Sequence, residues 1–145
     1  MLNNLILASK SKVRKDILEK NNISCKVQPS NVDEDAVKES LLNENVSPEI
    51  ISKNLAELKA NKISSKMQDQ IVLGADSVID LEGELISKPV DRKEAMLILK
   101  KLNGKEHQLI SSVCISKNGS MIWNYTDKAN LKMKHFSCLL YTSDA

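Results

Sequence analysis

The chain has 145 residues, enough for one domain with a buried core. Apolar residues make up 41% and charged residues 28%, and the net charge of +2 excludes any argument from bulk charge for a nucleic-acid or membrane partner. Aromatic residues are only 3%, so the core is left to Ile, Leu, Val, Ala and Met, and no apolar run reaches the ~20 residues of a membrane span.

Leu5-Ile6-Leu7-Ala8 reads as a short buried strand, too short for a signal peptide and with no basic segment before it. Val13, Ile17 and Leu18 recur at helical spacing and predict a helix over 11–20. Ile23, Cys25 and Val27 alternate as a second strand, and 30–35 is a polar, acidic loop. Ser47-Pro48-Glu49 is a helix start, with cap, first-turn proline and acidic first turn, and Ile51, Leu55, Leu58 and Ile63 mark its apolar face.

The run 71–79 is nearly continuously apolar, as a central strand buried on both faces would be, and Asp76 interrupts it. Gly83 turns the chain into 84–87. Asp91 and Glu94 form a capping box before a helix that Asn103-Gly104 stops. Residues 107–116 and 121–133 read as strands joined by Asn118-Gly119, a strong hairpin signal. The order βαβ–α–β–β–α–ββ predicts an α/β fold with a mixed, twisted sheet and flanking helices. Residues 138–145 carry no cap or turn chemistry and read as a non-native tail on a domain spanning 1–137. The cysteines Cys25, Cys114 and Cys138 form no CxxC or Cys/His cluster, which suits reduced thiols in the cytoplasm.

Three places could carry chemistry. Ser9 to Lys15 sits where a strand delivers the chain to a helix N-terminus, where free N–H groups and the dipole favour an anion. Arg14 adds a bidentate phosphate binder, and an ordinary serine cap is the alternative. It is not a glycine-rich phosphate loop, because no GxxxxGK[ST] pattern exists. Asp76 in an apolar strand costs several kcal/mol to desolvate unless paired or metal-bound, and an edge or solvent-facing position is the bland reading. Asp33-Glu34-Asp35 either supplies a metal ligand or is a solvated charge run. Lys59 and Lys88, each read alone, are surface lysines, though Pro89 would hold Lys88 in a rigid turn.

In order and together these features resemble the Maf family of nucleotide pyrophosphatases. Ile6-Leu7-Ala8-Ser9-Lys10-Ser11-x-x-Arg14 is similar to the family's opening LASxSPRR motif, Val32-Asp33-Glu34 to its acidic loop, and Leu55-Ala56-x-x-Lys59-Ala60 to its LAxxKA helix. Gly74-Ala75-Asp76-Ser77-Val78, Gly83, Ser87-Lys88-Pro89, Ala95, Leu102-Asn103-Gly104 and His107 follow its GADTVV…G…GKP…A…LSG..H run. The resemblance covers residue 5 to about 137. It implies an ITPase-like fold and hydrolysis of a nucleoside 5′-triphosphate to the monophosphate and pyrophosphate, with Mg²⁺ or Mn²⁺. It implies Asp76 as catalytic proton acceptor or metal ligand and Glu34 as a second metal ligand. Ser9, Ser11, Arg14, Lys59, Ser77 and Lys88 would bind the substrate. A cytoplasmic homodimer linked to septum formation is also implied.

Two departures stand out. Lys12-Val13-Arg14 replaces Pro-Arg-Arg, and Ser77 replaces the Thr of the branch preferring dTTP and UTP, while the branch preferring 7-methyl-GTP carries Gln there. The base preference is therefore open. The family also continues through an AGxYxIQG-like segment that helps close the cleft, so the resemblance implies a second lobe that is incomplete here. A catalytically silent nucleotide-binding or regulatory protein is accordingly the alternative function. An RNA-binding domain is disfavoured by the scarcity of aromatics for stacking bases.

Overall fold

The computed structural model describes residues 5–135, so the expected tail at 138–145 lies outside the described residues. Strands β1 (Leu5–Leu7) and β2 (Cys25–Val27) run parallel and are linked by helix α1 (Lys12–Lys20). Two helices follow, α2 (Glu34–Asn43) and α3 (Pro48–Ser64), before β3 (Val72–Leu81), which pairs parallel to β1. Strand β4 (Glu84–Ile86) returns antiparallel to β3 across a tight turn at Glu82-Gly83, both at positive φ. Helix α4 (Arg92–Leu102) leads to the hairpin of β5 (Glu106–Lys117) and β6 (Ser120–Lys132). The sheet order is β2-β1-β3-β5-β6, with β4 beside β3, so β3 is the central strand as its apolar run implies.

Local signals act where the sequence places them. Ser11, Ser47 and Asp91 each accept a hydrogen bond from a first-turn N–H of their helix. Asn118 and Gly119 both have positive φ, which a two-residue hairpin turn on a right-twisted ribbon requires. Two expectations change. The acidic loop of 30–35 ends early: Asp33 caps α2 through the Ala36 N–H at 3.1 Å, and Glu34 is that helix's first residue. The expected single helix between β2 and β3 is thus a pair. On α3, Leu58 is 42% exposed, and the buried residues are Pro48, Ile51, Ser52, Leu55, Ala56, Lys59, Ala60, Ile63 and Ser64. Large apolar residues alone misplace that face, because two alanines, two serines and a lysine share it.

Those small residues let α3 lie directly on β3. A Cβ added at Gly74 would fall 2.3 Å from the Ala56 carbonyl oxygen and 2.8 Å from the Ala60 N, so only glycine fits. Around this contact Ile6, Ala8, Ala56, Ala60, Ile63, Val72 and Cys114 form the main core. A second cluster, Leu81, Ile86 and Leu102, sits where β3, β4 and α4 meet. Among the described residues no helix is long and apolar enough to cross a membrane.

A backbone clash at Gly74 cannot be relieved by a rotamer change. Gly74→Ala is expected to destabilise the chain by about 1–3 kcal/mol in urea unfolding, the usual range for overpacking. A variant with the wild-type midpoint would contradict the close α3–β3 approach.

Candidate active site

The end of β1 opens into the first half of the site. Ser9 is buried, and its Oγ accepts from the Ser11 N–H at 3.0 Å and from Arg14 Nη1 at 3.2 Å. Ser11 caps α1 by accepting from the Arg14 N–H at 3.2 Å. The first turn of α1 carries no acidic residue, so its positive end is uncompensated from within the helix. Ser9, Ser11 and Arg14 form one hydrogen-bonded unit at that end. The serine cap and the candidate anion site are therefore built from the same residues.

The other half is built on β3 and α3. Asp76 is 5% exposed on the central strand, which rules out the edge or solvent-facing reading. Its backbone oxygen accepts from the Ser52 hydroxyl at 3.1 Å. Lys59 is 7% exposed and donates to Asp76 Oδ1 at 3.2 Å and to the Ala75 carbonyl at 3.3 Å. It also pairs with Glu34 from α2. One ammonium thus ties together three elements. Asp76 Oδ2 is buried and has no hydrogen-bond partner among the described residues.

Burial pushes the Asp76 carboxyl above its ordinary value; the Lys59 charge pulls against this without cancelling it, and the nearby Glu34 adds to the rise. For Glu34 burial also acts upward, but the hydrogen bond and charge of Lys59, with Lys38 and Arg14 behind them, outweigh it and hold the carboxyl below its ordinary value. Two neighbouring carboxyls are thereby driven apart in acidity.

Both halves face one open cleft of about 1030 Å³. All eight residues expected from the sequence line it: Ser9, Ser11, Arg14, Glu34, Lys59, Asp76, Ser77 and Lys88. Lys88 is exposed at the rim, and Ser77 shares a 3.1 Å hydroxyl contact with Ser111. His107, part of the same motif series, is buried and does not line the cleft. Six cationic side chains (Lys10, Lys12, Arg14, Lys38, Lys59, Lys88) and four acidic ones (Asp33, Glu34, Asp35, Asp76) line the walls, an excess of two positive charges. Lys38 was missed from sequence. It stands four residues after Glu34, a spacing that has meaning only once residues 34–43 are known to be helical.

Among the described residues no group of three or more His, Cys, Asp or Glu could hold a metal. A magnesium-like ion does not need one, since one or two carboxylates plus substrate phosphates commonly suffice. The unpartnered Asp76 Oδ2 and the adjacent Glu34 provide two such carboxylates, so the donor set fits a hard divalent cation.

The sequence pattern of the Maf-like protein family matches residues 4–139. The chain belongs to the Maf-like family. It is 73% identical over 139 residues to the nucleoside triphosphate pyrophosphatase of Pelagibacter ubique (strain HTCC1062), covering 96% of this chain and 71% of that protein. It is 40% identical over 133 residues to the nucleoside triphosphate pyrophosphatase of Ruegeria pomeroyi (strain ATCC 700808 / DSM 15171 / DSS-3), covering 92% and 67%. Among solved structures, the Maf-like chain superposes on a HAM1 protein from Coxiella burnetii with a TM-score of 0.57 at 13% identity, covering 90% of this chain and 71% of that one. A nucleoside-triphosphatase / dITP/XTP pyrophosphatase from Mycobacterium abscessus gives 0.56 at 11%, covering 89% and 72%. At these identities the likeness shows a shared fold, the mixed sheet with flanking helices expected for the Maf-like chain.

The Lys59–Asp76 pair makes a prediction about stability. Lys59→Met strands a buried carboxylate and is expected to cost about 3–5 kcal/mol. The double variant Lys59→Met/Asp76→Leu is expected to recover much of that loss in chemical denaturation. A loss in the double variant equal to the sum of the losses in Lys59→Met and Asp76→Leu would show that the pair is not coupled.

Proposed function

We propose that the chain hydrolyses nucleoside 5′-triphosphates to the monophosphate and pyrophosphate in this cleft, with Mg²⁺ or Mn²⁺, as a cytoplasmic enzyme. The observation that carries this reading is Asp76: a buried carboxylate with one unpartnered oxygen, opposite a helix N-terminus armed with Ser9, Ser11 and Arg14. The names of the relatives support it, since both quoted above are nucleoside triphosphate pyrophosphatases.

The roles follow from position. The α1 N-terminus, Ser9, Ser11 and Arg14 grip phosphate oxygens, with Lys88 closing from the rim and Ser77 reaching the substrate from β3. Asp76 and Glu34 would hold the divalent cation, whose charge supplies neutralisation at the phosphate oxygens. The oxygen of a water molecule bonds to the α-phosphorus, and the bond from that phosphorus to the bridging oxygen breaks. Pyrophosphate leaves with the electron pair, and the water's proton passes to the Asp76 carboxylate. Lys59 holds Asp76 in place and offsets negative charge as it develops. The excess of two positive charges along the cleft, raised to four by a divalent cation, matches the about four negative charges of a nucleoside triphosphate near neutral pH.

The homodimer belongs to the same proposal. Strand β6 exposes Ile122, Trp123, Tyr125 and Leu131, an apolar stretch of the kind that interfaces cover, and light scattering reads the mass directly.

Pyrophosphate release from a panel of nucleoside triphosphates, with Mg²⁺ or Mn²⁺, tests the activity and reads the base preference. Asp76→Asn is expected to lower turnover by at least about 100-fold while the substrate still binds, as loss of a positioned base does. A chelator is expected to stop the wild type. Tight nucleotide binding without pyrophosphate release would instead establish the silent binder.

A further inference from the structure

Lys38 lies in the cleft and has no assigned role. On an isolated helix it would pair with Glu34, one turn earlier, since a glutamate four residues before a lysine is the favoured order. Here Glu34 turns to Lys59 instead. Lys38 is left half-buried along the cleft wall, with no hydrogen bond or ion pair among the described residues. Its charge still acts on both Glu34 and Asp76, and it rises from the same helix as Glu34, one turn further on. With Glu34 and Asp76 Oδ1 already bonded to Lys59, this partly desolvated ammonium keeps its hydrogen-bonding capacity for an arriving anion. The other cationic groups are either already bonded or exposed. Lys59 is committed to two carboxylates and Arg14 to Ser9, while Lys10, Lys12 and Lys88 are exposed.

We propose that Lys38 is a further polyphosphate-binding residue, which reaches from α2 to contact the phosphate chain that the α1 N-terminus grips. This rests on the reading of the cleft as a nucleoside triphosphate site. It gives α2 a function beyond presenting Glu34: one helical turn supplies both an acidic group and a phosphate-binding ammonium. The phosphate chain is then held from two helices, by Arg14 and the α1 N–H groups on one and by Lys38 on the other. An anion held from two helices is fixed in direction, where one helix would fix only its position.

The test uses inorganic tripolyphosphate, which carries the phosphate chain without base or sugar, on the full chain in the presence of Mg²⁺. Its binding is measured by titration calorimetry for wild type, Lys38→Met and Lys38→Arg, with thermal melts showing that each variant is folded. Lys38→Gln serves as a second neutral variant should Lys38→Met not fold. Loss of the ammonium is expected to weaken tripolyphosphate binding by at least about tenfold, the scale of one charge-assisted hydrogen bond, with Lys38→Arg restoring most of it. In turnover assays the same variants are expected to raise KM with little change in kcat. Unchanged tripolyphosphate binding, or a fall in kcat alone, would overturn the proposal, because a group acting only through Glu34 and Asp76 would leave phosphate affinity untouched. The two readings fail separately. A wild type that releases no pyrophosphate sinks the proposed reaction, while calorimetry still decides the role of Lys38.

Discussion

Everything at this site depends on one buried ammonium. Lys59 can reach Asp76 only because α3 lies against β3 at backbone distance, and that approach requires Gly74 beneath Ala56 and Ala60. Taking the Lys59 and Asp76 charges out of water is costly unless each satisfies the other. Here the ammonium has three oxygen partners, from Asp76, Ala75 and Glu34. The contact that builds the core and the contact that builds the candidate site are the same, so a packing change at Gly74 is also a change in the geometry of that site.

The arrangement leaves a deliberate asymmetry. Asp76 Oδ1 is committed to Lys59, while Oδ2 is buried and has no partner among the described residues, a state that native interiors rarely tolerate without a reason. Glu34, tied to the same ammonium, stays on the acidic side of its ordinary range while Asp76 is raised. Across the cleft the α1 N-terminus offers the opposite sign, with no acidic residue in its first turn to quench it. Rigid elements carry the parts that must be placed exactly once: β3 for Asp76, α3 for Lys59, the head of α1 for the serine pair. Lys88 stands at the exposed rim.

Where the sequence was legible, the signal was local. The caps at Ser11, Ser47 and Asp91 and the Asn118-Gly119 turn depend on a few neighbouring residues, and the hydrogen bonds and φ angles fall where those residues stand. The central position of β3 was legible because an almost continuous apolar run has few other places to go. Helix α2 was not, because Asp33-Glu34-Asp35 reads as a solvated charge run and no residue of α2 is buried to give it a periodic face. Lys59 shows the deeper difficulty. Its burial comes from a partner 17 residues away and another on a different helix, so as a single residue it was a surface lysine, and only its match to a family motif marked it. Lys38 carried no such mark. It emerged only when α2 placed it on the cleft wall.

The site's central claim concerns which bond breaks, and isotope labelling in the cleaved products reads that directly. Hydrolysis of a nucleoside triphosphate by the wild-type chain in ¹⁸O-water, followed by mass analysis, locates the oxygen that entered. Attack at the α-phosphorus, with pyrophosphate as leaving group, predicts ¹⁸O in the nucleoside monophosphate and none in the pyrophosphate. Label in the pyrophosphate, or orthophosphate as the first product, would contradict the account.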